Sequence, residues 1–234
     1  MNAVITGATK GIGKAISELL YSKGINISIC SRNQKDLEEF REFLLESHEH
    51  HPKIHLYEAD ISHKEKVLAY ADDVLTNLGG VDILINNAGI FIPGQIGDEA
   101  DGALEAMINT NLYSAYHLTR RLLPGMKSSG SGHIFNMCSV ASIKAYPNGG
   151  SYAISKFALL GFSKCLREEL KTTGIKVTSI LPGATWSNSW AGVELPEDRL
   201  MQASDIANIV WSALSTSPSA VMEEIIIRPQ LGDL

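Results

Sequence analysis

Tyr152 and Lys156 stand four positions apart in the run SYAISKFALLGF, whose other side chains are mostly small or apolar. On a helix, residues i and i+4 are neighbours, so the phenol and the ammonium share a face. A phenol ionises near pH 10 and donates a proton poorly at neutral pH unless a cation stabilises its anion. Two unit charges about 4 Å apart, at an effective dielectric near 20, interact by roughly 4 kcal/mol, equivalent to about three pKa units. Such a pair suits the protonation of a carbonyl oxygen as it accepts hydride. A half-buried tyrosine beside a lysine that reaches for water gives the same spacing with no chemistry attached, so the surrounding chain has to decide.

A second constellation is ITGATKGIGKAI, in which Gly7, Gly11 and Gly13, with Thr9, Lys10 and Ile12 between them, follow an apolar run and open a helical pattern. Glycines in that context permit a tight turn and close backbone approach to a pyrophosphate resting on the helix N-terminus. The spacing G-x-x-x-G-x-G differs from G-x-G-x-x-G, and no G-K-[ST] follows, which excludes a Walker loop. After the second apolar run stand Ser31 and Arg32, where an NAD-preferring site carries an acid for the ribose hydroxyls. Arg32 suits a 2'-phosphate and Lys10 adds a second cation, so the cofactor expected is NADP(H).

These residues need elements to position them. Short apolar runs recur along the chain as AVIT, INISIC, IHLYEAD, VDILINNAG, GHIFNMCS, IKVTSILPG and EEIIIRP. Between several of them lie helical patterns such as GKAISELLYSKG, KDLEEFREFLLESH and KVLAYADDVLTNLG. Alternation of this kind predicts an α/β fold: a single-domain, Rossmann-type, doubly wound parallel sheet of about seven strands with helices on both faces, spanning residues 1–234. Ligands of such sheets sit beyond the carboxyl ends of the strands. ESHEHHPKIH, with His48, His50, His51 and His55, reads as a solvated connecting loop, and no metal site is expected there.

Taken together, TGATKGIG, NNAG from Asn86 to Gly89, NTN from Asn109 to Asn111, Ser139 in MCSVAS, YAISK and PGAT resemble the short-chain dehydrogenase/reductase family over nearly the whole chain. The resemblance implies a catalytic set of Asn111, Ser139, Tyr152 and Lys156, with Asn111 holding a water that relays protons from Lys156. It also implies that Asp60 meets an adenine, with Ile61 beside it, and that Asn87, Ala88 and Gly89 line the cofactor cleft. Pro182, Gly183 and Thr185 then contact the nicotinamide end. Ser139, just after a strand, is placed to hydrogen-bond the substrate oxygen. WSNSWAGVELPEDR is expected to cover the substrate. Trp186, the substrate-binding residue named there, would share the pocket with Trp190, Phe91, Ile92, Tyr146 and Met201. The C-terminal segment is similar to bacterial sepiapterin reductase-like members, and other features to 3-oxoacyl-carrier-protein reductases. Asp233 would anchor a pteridine only in the first case.

Composition bounds the alternatives. The chain has 234 residues, 44% of them hydrophobic, enough for one sizeable core. A net charge of −6 with no basic block argues against nucleic acid. Cys30, Cys138 and Cys165 are too few and too scattered for a disulfide scaffold, which fits a reducing cytoplasm. The first strand-like run begins at Ala3, so no signal peptide is expected, and no run is long enough to span a membrane. The partners expected are a small-molecule carbonyl substrate and a second copy of the chain, as homodimer or homotetramer, paired through NTNLYSAYHLTRRLLPGM and YAISKFALLGFSKCLREEL. A family member that binds the dinucleotide without turnover is disfavoured because Tyr152 and Lys156 are both present.

Overall fold

The computed structural model describes residues 1–187 and 192–233. Seven strands, β1 (Asn2–Thr6), β2 (Asn26–Ser31), β3 (Ile54–Glu58), β4 (Ile83–Asn86), β5 (Gly132–Met137), β6 (Ile175–Pro182) and β7 (Glu224–Ile227), form one sheet in the order β3-β2-β1-β4-β5-β6-β7. Every pairing is parallel. The seven apolar runs thus become seven strands. The order reverses between β1 and β4, which opens a crevice at their carboxyl ends.

Helices α1 (Gly11–Ser22), α2 (Gln34–Ser47) and α7 (Ala203–Leu214) cover one face through Ile16, Leu20, Leu37, Phe40, Ile206 and Val210. α3 (Lys64–Leu78), α5 (Ser114–Ser129) and α6 (Gly150–Leu170) cover the other through Tyr70, Val74, Leu118, Leu122, Leu166 and Leu170. A parallel sheet buried on both faces explains why its strands read as nearly continuous hydrophobic runs. Between the short helix α4 (Ala103–Ile108) and α5, Asn109–Tyr113 forms a π-helical turn.

One polar seam crosses this apolar interior. Asn86, Asn136 and Ser179 lie in register on β4, β5 and β6. The Asn86 amide donates to Thr119 of α5 at 3.0 Å and to Asn136 at 2.8 Å, Asn136 donates to Ser163 of α6 at 2.9 Å, and Ser179 donates to Ser163 at 2.7 Å. Buried polar groups are costly unless paired. This chain of partners therefore favours one docking position of α5 and α6 on the sheet, and α6 carries Tyr152 and Lys156.

The histidine-rich stretch is only partly a loop. His50 and His51 are exposed, but His48 closes α2 and His55 belongs to β3. His55 Nδ1 lies 2.8 Å from Ser28 Oγ and its Nε2 2.6 Å from Asp73. The strand begins two residues after Pro52, where the run IHLYEAD starts, so the loop reading overlaps it at Ile54 and His55. Among the described residues, no helix is long and apolar enough to cross a membrane.

Candidate active site

A cleft of about 1480 Å³ runs along the carboxyl ends of the strands. It exceeds the usual size for a drug-like ligand and has room for a dinucleotide with a substrate beside it. Its first wall is the turn after β1. Gly7 and Gly11 take positive φ, +63° and +52°, and a Cβ on Gly13 would lie 2.2 Å from the Gly7 carbonyl oxygen and 2.4 Å from Asn87 Nδ2. Gly13 is therefore a packing residue behind the wall and does not line the cleft, whereas Gly7, Thr9, Lys10, Gly11 and Ile12 do. The N-terminus of α1 has neither a side-chain cap nor an acidic residue in its first turn, so its backbone N–H groups offer an anion-binding end.

Asn87 lines the cleft, but its amide donates to the carbonyls of Thr6 at 2.9 Å and Gly7 at 3.1 Å. Thr6 Oγ1 in turn accepts the N–H groups of Asn87 and Ala88, both at 3.0 Å. Asn87 thus ties the β4 end to the glycine turn, and its Oδ1 is what remains for a ligand. Ser31 receives the Thr9 hydroxyl at 3.3 Å, and exposed Arg32 follows it on the cleft rim. The expected pair of free cations is altered here, because Lys10 Nζ lies 2.9 Å from Asp36. Asp36 sits in the first turn of α2, where the helix dipole favours a carboxylate; nothing in the local motif announced that partner. Asp60 and Ile61 line the same end. Although its partial burial works the other way, hydrogen bonds from the Ser62 N–H and hydroxyl, with His63 and Arg32 nearby, hold the Asp60 carboxyl below its usual range.

At the other end, Ser139, Tyr152 and Lys156 face the cleft together. Ser139 caps a short 3-10 turn, Val140–Ser142, by accepting the Ala141 N–H at 3.1 Å, and it hydrogen-bonds the Tyr152 hydroxyl. Lys156 is buried, donates to the Met137 carbonyl at the end of β5 at 2.8 Å, and lies 5.7 Å from the centre of the Tyr152 ring. The two side chains share one helix face, as their spacing predicts. The electrostatics differ from the expectation. Burial pushes the Tyr152 phenol above its ordinary value, against the Ser139 hydrogen bond. Burial also brings the Lys156 ammonium down to about 8. The physical reason is that the ammonium sits over the ring and is held by a backbone carbonyl, while both groups have lost water.

Asn111 lies within the π-helical turn and is buried behind the cleft wall. Its Oδ1 accepts the Ile90 N–H at 2.7 Å, and its amide donates to the Ile90 carbonyl at 3.0 Å and to Ser155 at 2.9 Å. The side chain braces the strand-end loop and does not itself face the cleft. A Cβ on Gly89 would lie 3.2 Å from Asn111 Oδ1 and 3.5 Å from Lys156 Nζ, so that oxygen lies on the ammonium's side of the turn with a second lone pair to offer.

Pro182, Gly183 and Thr185 line the cleft with Phe91 and Tyr146. The Thr185 hydroxyl donates to the Gly183 carbonyl at 3.0 Å and retains lone pairs to accept a ligand N–H. Trp186 does not line the cleft: its Nε1 donates to the Glu197 carbonyl at 2.8 Å and its N–H to Met201 at 2.9 Å. Met201 is buried in the core, and Ile92 is partly exposed away from the wall. Trp190 lies outside the described residues. Asp233 reaches the cleft beside Gly183 and is paired with Arg228 at 2.7 Å. Asp36, Lys144 and Arg228 are cleft residues that no motif marked.

The short chain dehydrogenase family model matches residues 1–197. The chain belongs to this family. It is 32% identical to an uncharacterized oxidoreductase of Staphylococcus epidermidis over 97% of this chain and 96% of that one. An alcohol dehydrogenase from Thermococcus sibiricus complexed with 5-hydroxy-NADP superposes with a TM-score of 0.90 at 25% identity, covering 100% of this chain and 98% of its own. L-Sorbose reductase from Gluconobacter frateurii, complexed with NADPH and L-sorbose, gives 0.89 at 26% identity, covering 97% and 95%.

Burial of the Lys156 charge has a sign that can be measured. Its pKa is lower folded than unfolded, so between about 8 and 10.5 the unfolded chain binds the extra proton and folding stability rises with pH. Lys156→Met should therefore be more stable than the natural protein at pH 7. In urea unfolding, that advantage is expected to shrink by about 2 kcal/mol between pH 7 and pH 9.5; a pH-independent difference would contradict the buried charge.

Proposed function

We propose that this protein is an NADPH-dependent reductase that converts a ketone to a secondary alcohol, with Tyr152 as proton donor. The observation that carries this reading is the convergence of Ser139, Tyr152 and Lys156 at one end of a cleft whose other end is a glycine turn on a helix N-terminus. NADP complexes of the Thermococcus and Gluconobacter proteins support the cofactor, as does Arg32 where an NAD site carries an acid. When bound, the reduced nicotinamide supplies the hydride.

The chain's own residues do the rest. The turn at Gly7 and Gly11 and the bare end of α1 hold the pyrophosphate, Arg32 and Ser31 the 2'-phosphate, and Asp60 and Ile61 the adenine side. Gly13 makes room for that turn. Asn87, Ala88 and Gly89 form the floor, and Pro182, Gly183 and Thr185 orient the carboxamide, with the Thr185 oxygen accepting its N–H. The Ser139 hydroxyl donates to the substrate oxygen, and the Tyr152 hydroxyl transfers its proton there as charge develops. Lys156 stabilises the resulting phenolate, and the second lone pair of Asn111 Oδ1 supports a role for it in holding a relay water. Trp186, pinned to the 197–201 segment, acts at most through the position of that segment.

A pteridine carbonyl is the second reading, favoured by Asp233 on the cleft wall beside Gly183. A 3-oxoacyl thioester is the third substrate to assay. We place the protein in a reducing cytoplasm on its three unpaired cysteines. We further propose a homo-oligomer built on the exposed Ile154 and Phe157 of α6 and Tyr113 before α5.

Tyr152→Phe should leave the NADPH dissociation constant within about twofold while lowering ketone turnover by about a hundredfold or more, followed as loss of NADPH absorbance. Undiminished turnover would exclude the phenol. Arg32→Ala should weaken NADPH by about tenfold and leave NADH nearly unchanged, because a charge-assisted hydrogen bond contributes about 1.5 to 3 kcal/mol. Asp36→Asn, which frees Lys10 and removes a like charge from the phosphate, should tighten NADPH severalfold in the same fluorescence titration. Light scattering at micromolar concentration should give at least twice the 25.4 kDa chain mass.

A further inference from the structure

Helix α6 begins one residue after Gly149, a position that offers no side-chain cap. Its first-turn N–H groups are served instead by a distant segment, the loop between β4 and α4. The carboxylate of Glu99 accepts the Ser151 N–H at 2.9 Å through Oε1 and the Ser151 hydroxyl through Oε2. In the same loop the Gly94 carbonyl accepts the Gly150 N–H at 3.4 Å, and the Gly94 N–H donates to Asn148 at 3.0 Å. The fit is tight: a Cβ on Gly150 would lie 2.7 Å from Ile96 and 3.1 Å from Glu99 Oε1, and one on Gly94 would lie 2.6 Å from Glu99 Cγ.

The residue after Ser151 is Tyr152. At the start of the same loop, Phe91 packs edge-on against the Tyr152 ring, with centroids 5.0 Å apart at 75°. One segment therefore grips Tyr152 twice, by its ring and by the backbone beside it. A carboxylate on a helix N-terminus is favoured by the unsatisfied N–H groups and the dipole, and the two Ser151 hydrogen bonds pull the Glu99 carboxyl below its ordinary value. Phe91 lines the cleft, so the loop that holds the helix end is also part of the pocket wall.

We infer that Glu99 is the positioning residue for Tyr152, fixing the first turn of α6 so that the phenol is held at the reacting oxygen. This rests on the reading of Tyr152 as proton donor. Glu99 touches neither substrate nor cofactor in this scheme. It acts through the helix end, so its loss should lower turnover without loosening the dinucleotide. A residue that merely stabilised the fold would move neither the split between turnover and binding nor the local behaviour of this helix turn.

The test compares Glu99→Ala, Glu99→Gln and Ser151→Ala with the natural protein by three measurements. These are NADPH affinity by fluorescence, kcat on an accepted ketone, and hydrogen exchange of the peptide containing Ser151 and Tyr152. Glu99→Ala is expected to lower kcat about tenfold, keep NADPH affinity within about twofold, and accelerate exchange in that peptide alone. Glu99→Gln, which retains a carbonyl acceptor for the Ser151 N–H, should recover most of both, and Ser151→Ala should fall between. The inference is overturned if Glu99→Ala turns over within twofold of the natural protein, if its exchange is unchanged, or if turnover and NADPH affinity fall together. Should Glu99→Ala not fold, Ser151→Ala decides on the same criteria, and Glu99→Gln remains the rescue that should stay near the natural protein. If the natural protein reduces no ketone, the functional reading fails, and the exchange data still report whether Glu99 holds the helix end.

Discussion

A charged lysine side chain enclosed by protein at the end of β5 is the constraint around which the Ser139 and Tyr152 end of the cleft is arranged. The buried Lys156 ammonium is satisfied by the backbone carbonyl of Met137, which accepts its hydrogen bond. That carbonyl is available because β5 ends there and the chain turns into the 3-10 segment capped by Ser139. The end of one strand thus sets the ammonium and the serine at once. The polar seam through Asn86, Asn136, Ser163 and Ser179 then holds α6 at the height that brings Tyr152 to the same place.

The dinucleotide half obeys a different rule. No buried charge is needed there, since the glycine turn and the bare end of α1 present backbone donors. The side chains around them mostly bind one another. Thr6 and Asn87 lace β1 to β4 across the reversal of strand order, and Lys10 is engaged by Asp36. With Lys10 paired to Asp36, Arg32 is left by the proposed reading as the rim cation for a 2'-phosphate.

Sheet, helices and most of the cleft were legible in the sequence because their signals are local. Apolar runs mark strands buried on both faces, glycines mark a turn that a Cβ would block, and spacings such as that of Tyr152 and Lys156 follow from helix geometry. What escaped depends on partners far along the chain. Nothing near Lys10 names Asp36, nothing near Asn111 shows that its amide is spent on Ile90, and nothing near Trp186 shows its bond to Glu197. The upward shift of the Tyr152 phenol escapes the sequence for a related reason: spacing gives the distance between two groups but not how much water each has lost. The grip of Glu99 on Ser151, across 52 positions, is of the same kind.

The π-helical turn at Asn109–Tyr113 carries a consequence for the chain's tolerance to length changes. Each residue advances a helix by about 100°, so the extra residue in that turn rotates everything after it by that amount relative to an uninterrupted helix. Leu118, Leu122 and Met126 face the sheet only with that phase offset in place. Deleting Leu112 or Tyr113 would leave the NTN run intact and still turn the apolar stripe of α5 aside, making this short bend a length-sensitive joint.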